Sequence, residues 1–484
     1  MAGMKALKNR QITFPILIYL LAVVVRLVPV IAARHMTIGL DDMFQYDMLG
    51  RSLAAGNGFR WYAPDDLALI KQFLPLEFIT GDYDPRGILT SFRGPAYPFF
   101  LSLIYRLFGL ENRFFIARLV QVFVMSALAP MGYALAKRLF PDEERTARLS
   151  AWVLALYPFL VVFPLALATE VIFIPLVLAA VLLLLRAAET GRWQAYVFAG
   201  VALAAAALTR SVVVAIIPAV LLWLWFAAKD KKGTLIVLAS VVVILTPWVI
   251  RNSLMYGKFS FLENAMGYNL YLGYHPDTEG RFEFGPSLDL LPYLDDLQRD
   301  QIGTEKALGF IREDPAQVPY LVLRKLGYFF GLERRVLTYF YSNNFLGYIP
   351  QPWFTMVFVV FTLPFVLLTI GAALSLPLIR QWEKSHLLVG LVAFFYLAPH
   401  LLILAEPRFH LTLVPLLAGF AALTWAQRRT LAARFADPAK RWLVVLAVLL
   451  AALLVFNWGF ELWHDAAALQ QLFGPEGNQA YFSY

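Results

Sequence analysis

The chain has 484 residues, of which 60% are hydrophobic and 15% charged, and its mean hydropathy is +0.64. A soluble domain is nearer one quarter charged and about half apolar, so this composition excludes an ordinary soluble protein. It points to an all-α polytopic membrane protein. Cysteine is absent, which excludes disulfides and thiolate metal sites. The net charge of +8 and the pI near 9.4 fit basic cytoplasmic loops and anionic lipid rather than nucleic-acid binding.

The chain opens with Lys5, Lys8 and Arg10, followed by an apolar run too long for a signal-peptide core and without a small-residue cleavage site. It reads as a retained signal anchor with a cytoplasmic N-terminus. A bilayer span needs about 20 mainly apolar residues. On that template the candidates are 14–34, 113–137, 148–165, 170–187, 193–209, 211–227, 233–250, 353–379, 386–404, 408–427 and 440–460. Eleven transmembrane helices are expected, within a range of 9–13.

The segment 95–109 is apolar but short, and Arg106 interrupts it. Lys137, Arg138, Arg145 and Arg148 make the next loop cytoplasmic by the positive-inside rule, so 95–109 is expected to lie in the outer interface rather than to span. With that choice the remaining basic loops, around 186–192, 229–232, 380–384 and 428–441, all fall inside. Two long stretches, 35–112 and 251–352, fall outside and are too long to be mere connectors. The second should carry an amphipathic helix over 304–330, broken at Pro315. The chain divides into an N-terminal transmembrane catalytic module (1–250, including the first outer loop 35–112), a second outer loop (251–352), C-terminal transmembrane helices (353–460) and an outer tail (461–484), expected to carry little order.

Five polar features interrupt apolar sequence, and this topology puts all of them on one face. They are Asp41-Asp42 after the first span, Thr169-Glu170, Arg210, Arg251-Asn252, and Glu406-Pro407-Arg408. Adjacent carboxylates facing a cavity repel, so at least one pKa should rise, which suits a general base. Arginines grip phosphate through bidentate, charge-assisted hydrogen bonds. Each feature has a plainer reading: a solvated loop start, a snorkelling Arg210, a helix end at Arg251-Asn252, or a Glu406–Arg408 pair. Glu170 is hardest to dismiss, because it sits among Ala, Leu, Val and Ile with no basic neighbour in sequence.

In order along the chain, these features form a pattern. Asp41-Asp42 is followed by Phe92-Arg93-Gly94-Pro95-Ala96-Tyr97-Pro98 and by Leu107-Phe108-Gly109. Next come Tyr157-Pro158 with Thr169-Glu170, and Leu208-Thr209-Arg210. Pro247-Trp248-Val249-Ile250-Arg251-Asn252, Gly267 to Gly273, and Glu406-Pro407-Arg408-Phe409 complete the set. It resembles the glycosyltransferase C superfamily, and within it the bacterial relatives of protein O-mannosyltransferases and of the lipid A aminoarabinose transferase. The resemblance implies inverting transfer of a sugar from a polyprenyl-phosphate donor to a lipid, glycan or protein acceptor, on the periplasmic face of a bacterial inner membrane. Carried over, Asp41 is the leading candidate base with Asp42 beside it, and Glu170 is the second-loop acid. Arg210, Arg251 and Arg408 are candidates for the lipid phosphate. Tyr46, Arg93, Asn252, Asn269 and Glu406 are candidate acceptor or donor contacts. Many relatives have Asp-Glu where this chain has Asp-Asp, which leaves open which of the two is the base.

Two alternatives accompany that expectation. Asp41, Asp42 and Glu170 could hold a divalent cation through oxygen ligands, whereas the histidines show no zinc spacing, and no metal ligands are assigned. The rival class is a transporter or flippase of a lipid-linked or anionic substrate. Transporters place ionisable groups near mid-membrane and often show paired repeats; here the charges sit at span ends.

Overall fold

A computed structural model describes residues 2–39, 41–73, 84–334 and 349–474. Seven helices are long and apolar enough to cross a membrane: Thr13–Ala32, Arg113–Leu139, Glu170–Thr190, Lys231–Tyr256, Trp353–Leu374, Lys384–Leu402 and Pro438–His464. An eighth is bent by 51° between Glu144–Leu156 and Pro158–Leu165. The helices Trp193–Thr209, Ser211–Ala227 and Val414–Ala426 are apolar but shorter than a full span. Each of the eleven expected segments therefore lands on an apolar helix, while length alone supports seven or eight spans.

The bend has a local cause. Tyr157 precedes a proline and leaves the helical region, with ψ at 114°. A residue before proline is pushed toward extended backbone, and the break leaves carbonyls without helical partners. Arg26, wholly buried on the first helix α1 (Ala2–Ala32), fills that gap. Its guanidinium donates to the carbonyls of Leu154 at 2.8 Å, Ala155 at 3.1 Å and Leu160 at 3.2 Å. An arginine at membrane depth is tolerated because each of its three guanidinium nitrogens meets a backbone carbonyl.

The short basic loops gather at one end of the bundle. Arg138 pairs with Glu189 at 3.3 Å. Gln427 donates to Glu143 at 2.7 Å. Lys440 Nζ donates to the carbonyls of Pro377 and Ile379, and Trp223 Nε1 to that of Lys384. The two long loops cover the other end and are bound to each other. Asp296 Oδ2 accepts from Thr90 Oγ1 at 2.6 Å and from the Ser91 amide at 2.8 Å, and the Asn264 amide donates to the Ser91 carbonyl at 3.0 Å. The first loop also holds a small antiparallel pair, β1 (Arg60–Trp61) and β2 (Ile88–Leu89), with Arg60 opposite Leu89.

Residues Ala96–Phe108 form a 13-residue helix, about 20 Å long and too short to span. Tyr97, Leu101 and Tyr105 are buried beneath it, and Phe99, Leu103, Leu107 and Phe108 are exposed, as an interfacial helix requires. The expected break at Pro315 separates Asp296–Glu313 from Gln317–Phe329. The tail differs from expectation. The last long helix runs to His464, and a further helix, Ala466–Phe473, packs Phe473 on Phe354 with ring centroids 5.0 Å apart. Its apolar face buries Leu472, which ties it down; residues 475–484 lie outside the described part.

Because the chain has no native cysteine, single cysteines report on one face without background. Cysteines at the exposed positions Arg86, Asp277 and Gln470 are expected to react with an impermeant maleimide on the same side of the membrane. Cysteines at Asp142 and Arg429 should react only from the other side.

Candidate functional site

The site begins where α1 ends. Asp41 caps α2 (Asp42–Ala54), its Oδ1 accepting from the Met43 amide at 2.9 Å. This satisfies one of the unpaired donors of the first turn. The connection into the cap is held from below by Arg118, wholly buried, which donates to the carbonyls of Met36 at 2.5 Å, Thr37 at 2.9 Å and Leu165 at 2.9 Å. One turn into α2, Asp47 is a hub. Its carboxylate accepts from Arg51 at 2.8 Å, Arg113 at 2.8 Å and Tyr105 at 3.0 Å, while Arg51 also reaches Asp66 at 2.6 Å. These bonds fix α2 on α4 (Ala96–Phe108) and α5 (Arg113–Ser126).

With α2 fixed, Asp42 projects into a cluster of charges from distant segments. One of its oxygens accepts from Arg93 and the other from Arg408, the latter at 3.0 Å. Arg93 also donates to Gln45 at 2.7 and 2.9 Å and lies over the Tyr46 ring, 5.4 Å from its centroid. Glu170, first residue of α9 (Glu170–Thr190), accepts from Arg210 at 2.6 Å and from Thr169 at 3.2 Å. Phe409 links the two pairs, with the Arg210 guanidinium 4.8 Å and that of Arg408 5.8 Å from its ring centroid. Glu170 is also within electrostatic reach of Arg408 and Asp42. Behind Arg408, Glu333 accepts from Tyr157 at 2.6 Å and lies 3.0 Å from His410 Nε2.

The two aspartates are not equivalent. Asp42 is clamped by two arginines, whereas no arginine hydrogen-bonds Asp41 among the described residues. Although part of its side chain is exposed, Asp41 has its pKa raised, first by the desolvating mass of protein around it and then by the charge of Asp42.

Of the other expected site residues, Arg251 is not bonded to any of these acids. It donates to the carbonyls of Thr90 at 2.7 Å and Phe59 at 3.3 Å and to Asn252 at 2.9 Å, and packs on Trp248. Asn252 in turn donates to the carbonyls of Phe261 and Leu262. Arg251 holds the second loop against the first, and Asn252 braces the second loop internally. Glu406 accepts from the Phe282 amide at 3.0 Å, while its sequence neighbour Arg408 turns to Asp42. Asn269 is half-buried on α13 (Met266–Tyr274).

The structure adds Glu263, which sequence reading missed. It accepts from Ser211 at 2.9 Å and feels both Arg93 and Arg210. Burial raises its pKa, and Ser211 and the two arginines oppose that. Glu263 sits against Gly94, where an added Cβ would fall 2.6 Å from its Oε1 and 2.5 Å from the Leu208 carbonyl. Only glycine admits that approach beside Arg93, and Gly94 was the one available signal. A divalent cation finds no converging set of three His, Asp or Glu ligands among the described residues. Asp42 and Glu170 are instead matched by guanidinium groups.

Residues 93–250, about a third of the chain, match the family described as dolichyl-phosphate-mannose-protein mannosyltransferase. Similar solved structures include the Archaeoglobus fulgidus oligosaccharyltransferase in the apo form, 16% identical with a TM-score of 0.50 over 98% of this chain and 60% of that one. Another is the same organism's oligosaccharyltransferase AglB in complex with an inhibitory peptide and a dolichol-phosphate, at 15%, 0.51, 99% and 60%. This chain shares the fold of these oligosaccharyltransferases. The resemblance drawn from its sequence is thus borne out. ArnT from Cupriavidus metallidurans bound to undecaprenyl phosphate is also similar, 15% identical with a TM-score of 0.39 over 84% of this chain and 77% of that one. The chain spans 60% of the length of the two archaeal structures. Curated proteins give no match.

The hub predicts a stability effect separate from chemistry. Asp47→Ala leaves Arg51 and Arg113 without their shared acceptor. Breaking a buried pair costs about 3–5 kcal/mol; with the arginines 25% and 27% exposed, solvent screening reduces this to about 2–3 kcal/mol. A lowered thermal unfolding midpoint in detergent would show it, and an unchanged midpoint would remove Asp47 from that role.

Proposed function

We propose that the protein is an inverting glycosyltransferase that moves a sugar from a polyprenyl-phosphate donor to a hydroxyl or amine of an envelope acceptor on the periplasmic face. The observation that carries this reading is the meeting of Asp42, Arg93 and Arg408 beside Glu170 and Arg210. Acids and guanidinium groups from distant segments meet at one end of the bundle, with Asp41 next to Asp42. The matched family is named for a lipid-phosphate sugar donor, and one structure of similar fold holds a dolichol-phosphate.

In this mechanism Asp41 is the base. Among the described residues no arginine hydrogen-bonds it, and its raised pKa keeps a carboxylate basic enough to take the acceptor proton. The acceptor oxygen or nitrogen attacks the anomeric carbon while the bond from that carbon to the phosphate oxygen breaks. The electron pair leaves with the lipid phosphate, the proton stays on Asp41, and the anomeric configuration inverts. Arg408 and Arg210 face the negative charge that grows on the departing phosphate. Asp42 holds Arg408 and Arg93 in place, and Glu170 does the same for Arg210. Arg251 and Asn252 act on the loop scaffold rather than on the phosphate.

The direct test is purified protein in detergent with a radiolabelled polyprenyl-phosphate sugar and a crude envelope acceptor fraction. Donor consumption without a membrane gradient is expected of a transferase, and an intact donor would overturn the reading. Asp41→Asn should abolish transfer while donor binding persists; retained turnover would move the base to Asp42. Arg408→Gln should lower kcat/KM by about 10²–10³, the effect of losing one donor to a developing oxyanion.

The pH dependence follows from the sign of the shift. Asp41 must be ionised to act, so transfer falls as the pH drops through its pKa. That limb should lie above the ordinary aspartate value of 3.8. Asp42→Asn removes the like charge, so whatever activity remains should show the acidic limb at lower pH. A limb that stays in place would break the coupling.

A further inference from the structure

A second site lies at the far end of α9 and of α10 (Trp193–Thr209). Glu170 opens α9 and Arg210 follows α10, whereas the turn joining the two helices runs through Gly191 and Arg192. Over its 21 residues, α9 climbs about 31 Å, one bilayer core in height. The two sites therefore face opposite leaflets. At the turn, between α9, α10 and α12 (Lys231–Tyr256), is a cavity of about 540 Å³, within the usual size of ligand pockets.

Its floor is a built unit. The Tyr196 hydroxyl donates to the Asp230 carboxylate, which also accepts from the Gly233 amide at 2.7 Å. These two bonds hold the Asp230 carboxyl below the usual aspartate range. A Cβ at position 233 would lie 2.6 Å from the Tyr196 ring, so the three groups pack as one. The acidic group is thereby bound internally, and the rim is cationic. Arg186, Arg192 and Lys232 line it, all exposed, and neither arginine makes an ion pair among the described residues. The cavity is not polar throughout. Phe198 and Ile236 continue its wall along the helices, with Phe198 60% exposed, and Trp193 stands at the rim as an interfacial aromatic.

We propose that this cavity binds the phosphodiester headgroup of an anionic phospholipid in the leaflet opposite the acid–arginine site. Arg186 and Arg192 clasp the phosphate oxygens, Lys232 adds charge, and an acyl chain follows Phe198 and Ile236. Two features separate a lipid from a soluble phosphate ester: the continuous apolar wall, and the position of the cavity between bilayer-crossing helices, where basic pockets collect anionic headgroups. The inference depends on the chain spanning the membrane and not on the transferase reading.

Native mass spectrometry of the full chain in mild detergent tests it, with phosphatidylglycerol and phosphatidylcholine as equimolar probes. The expected result is preferential retention of phosphatidylglycerol, undisturbed by excess glycerol phosphate. Arg186→Gln with Arg192→Gln should weaken that retention by about tenfold or more, the loss of one or more charge-assisted bonds. An unchanged unfolding midpoint in phosphatidylcholine would show the variant folded. Lys232→Gln, at an exposed position, should give a smaller loss in the same direction if the double variant does not fold. Equal retention of the two lipids, full retention by the folded variants, or displacement by glycerol phosphate would each overturn the proposal. Because no sugar donor enters the measurement, such a failure leaves the acid–arginine site untouched.

Discussion

A carboxylate gripped from two sides by guanidinium groups is the constraint on which the rest of this structure depends. Asp42 accepts from Arg93 in the first long loop and from Arg408 at the start of a late helix. At a membrane boundary a lone charge is penalised heavily, and a paired one is tolerated only where geometry brings its partner. The pairing therefore does more than neutralise charge. It closes the first loop onto the bundle and sets the depth at which the neighbouring acids and arginines stand.

The remaining charges divide by what they bond. Arg26 and Arg118 are wholly buried and give their donors to backbone carbonyls, at the Tyr157-Pro158 bend and at the approach to Asp41. Arg251 does the same for the contact between the two long loops. These arginines repair backbone that would otherwise lack partners. Asp47 gathers Arg51 and Arg113 into a brace behind α2. In front of that brace are the acids and arginines whose partners are other side chains: Asp42, Glu170, Arg93, Arg210 and Arg408. Side chains held by one another can exchange partners when a ligand arrives, whereas those bound into the backbone cannot do so without local unfolding.

The two ends of the bundle carry different chemistry for the same reason. At the site end, negative and positive groups alternate and cancel locally. At the end formed by the short loops, cations outnumber acids, and Asp230 is bonded to Tyr196 and Gly233 rather than to the arginines near it. One end interleaves acids with guanidinium groups. The other presents uncancelled positive charge to the membrane surface.

Much of this was legible in the order of residues. Apolar runs mark the helices because a helix in lipid must satisfy its own backbone, and each of the eleven runs became an apolar helix. Loop lysines and arginines separated the two ends, and isolated acids and arginines between apolar runs marked Asp42, Glu170, Arg210 and Arg408. Partnership was not legible. Arg408 lies two residues from Glu406 yet bonds to Asp42, 366 positions away, and Arg251, which looked like its equal, turned to backbone. Glu263 carried no pattern of its own and reached the site only through the close approach of Gly94. Local composition determines which segments enter the membrane, since that is a transfer free energy summed residue by residue. Which charge meets which depends on how helices far apart in the chain pack, and only the tertiary structure holds that information.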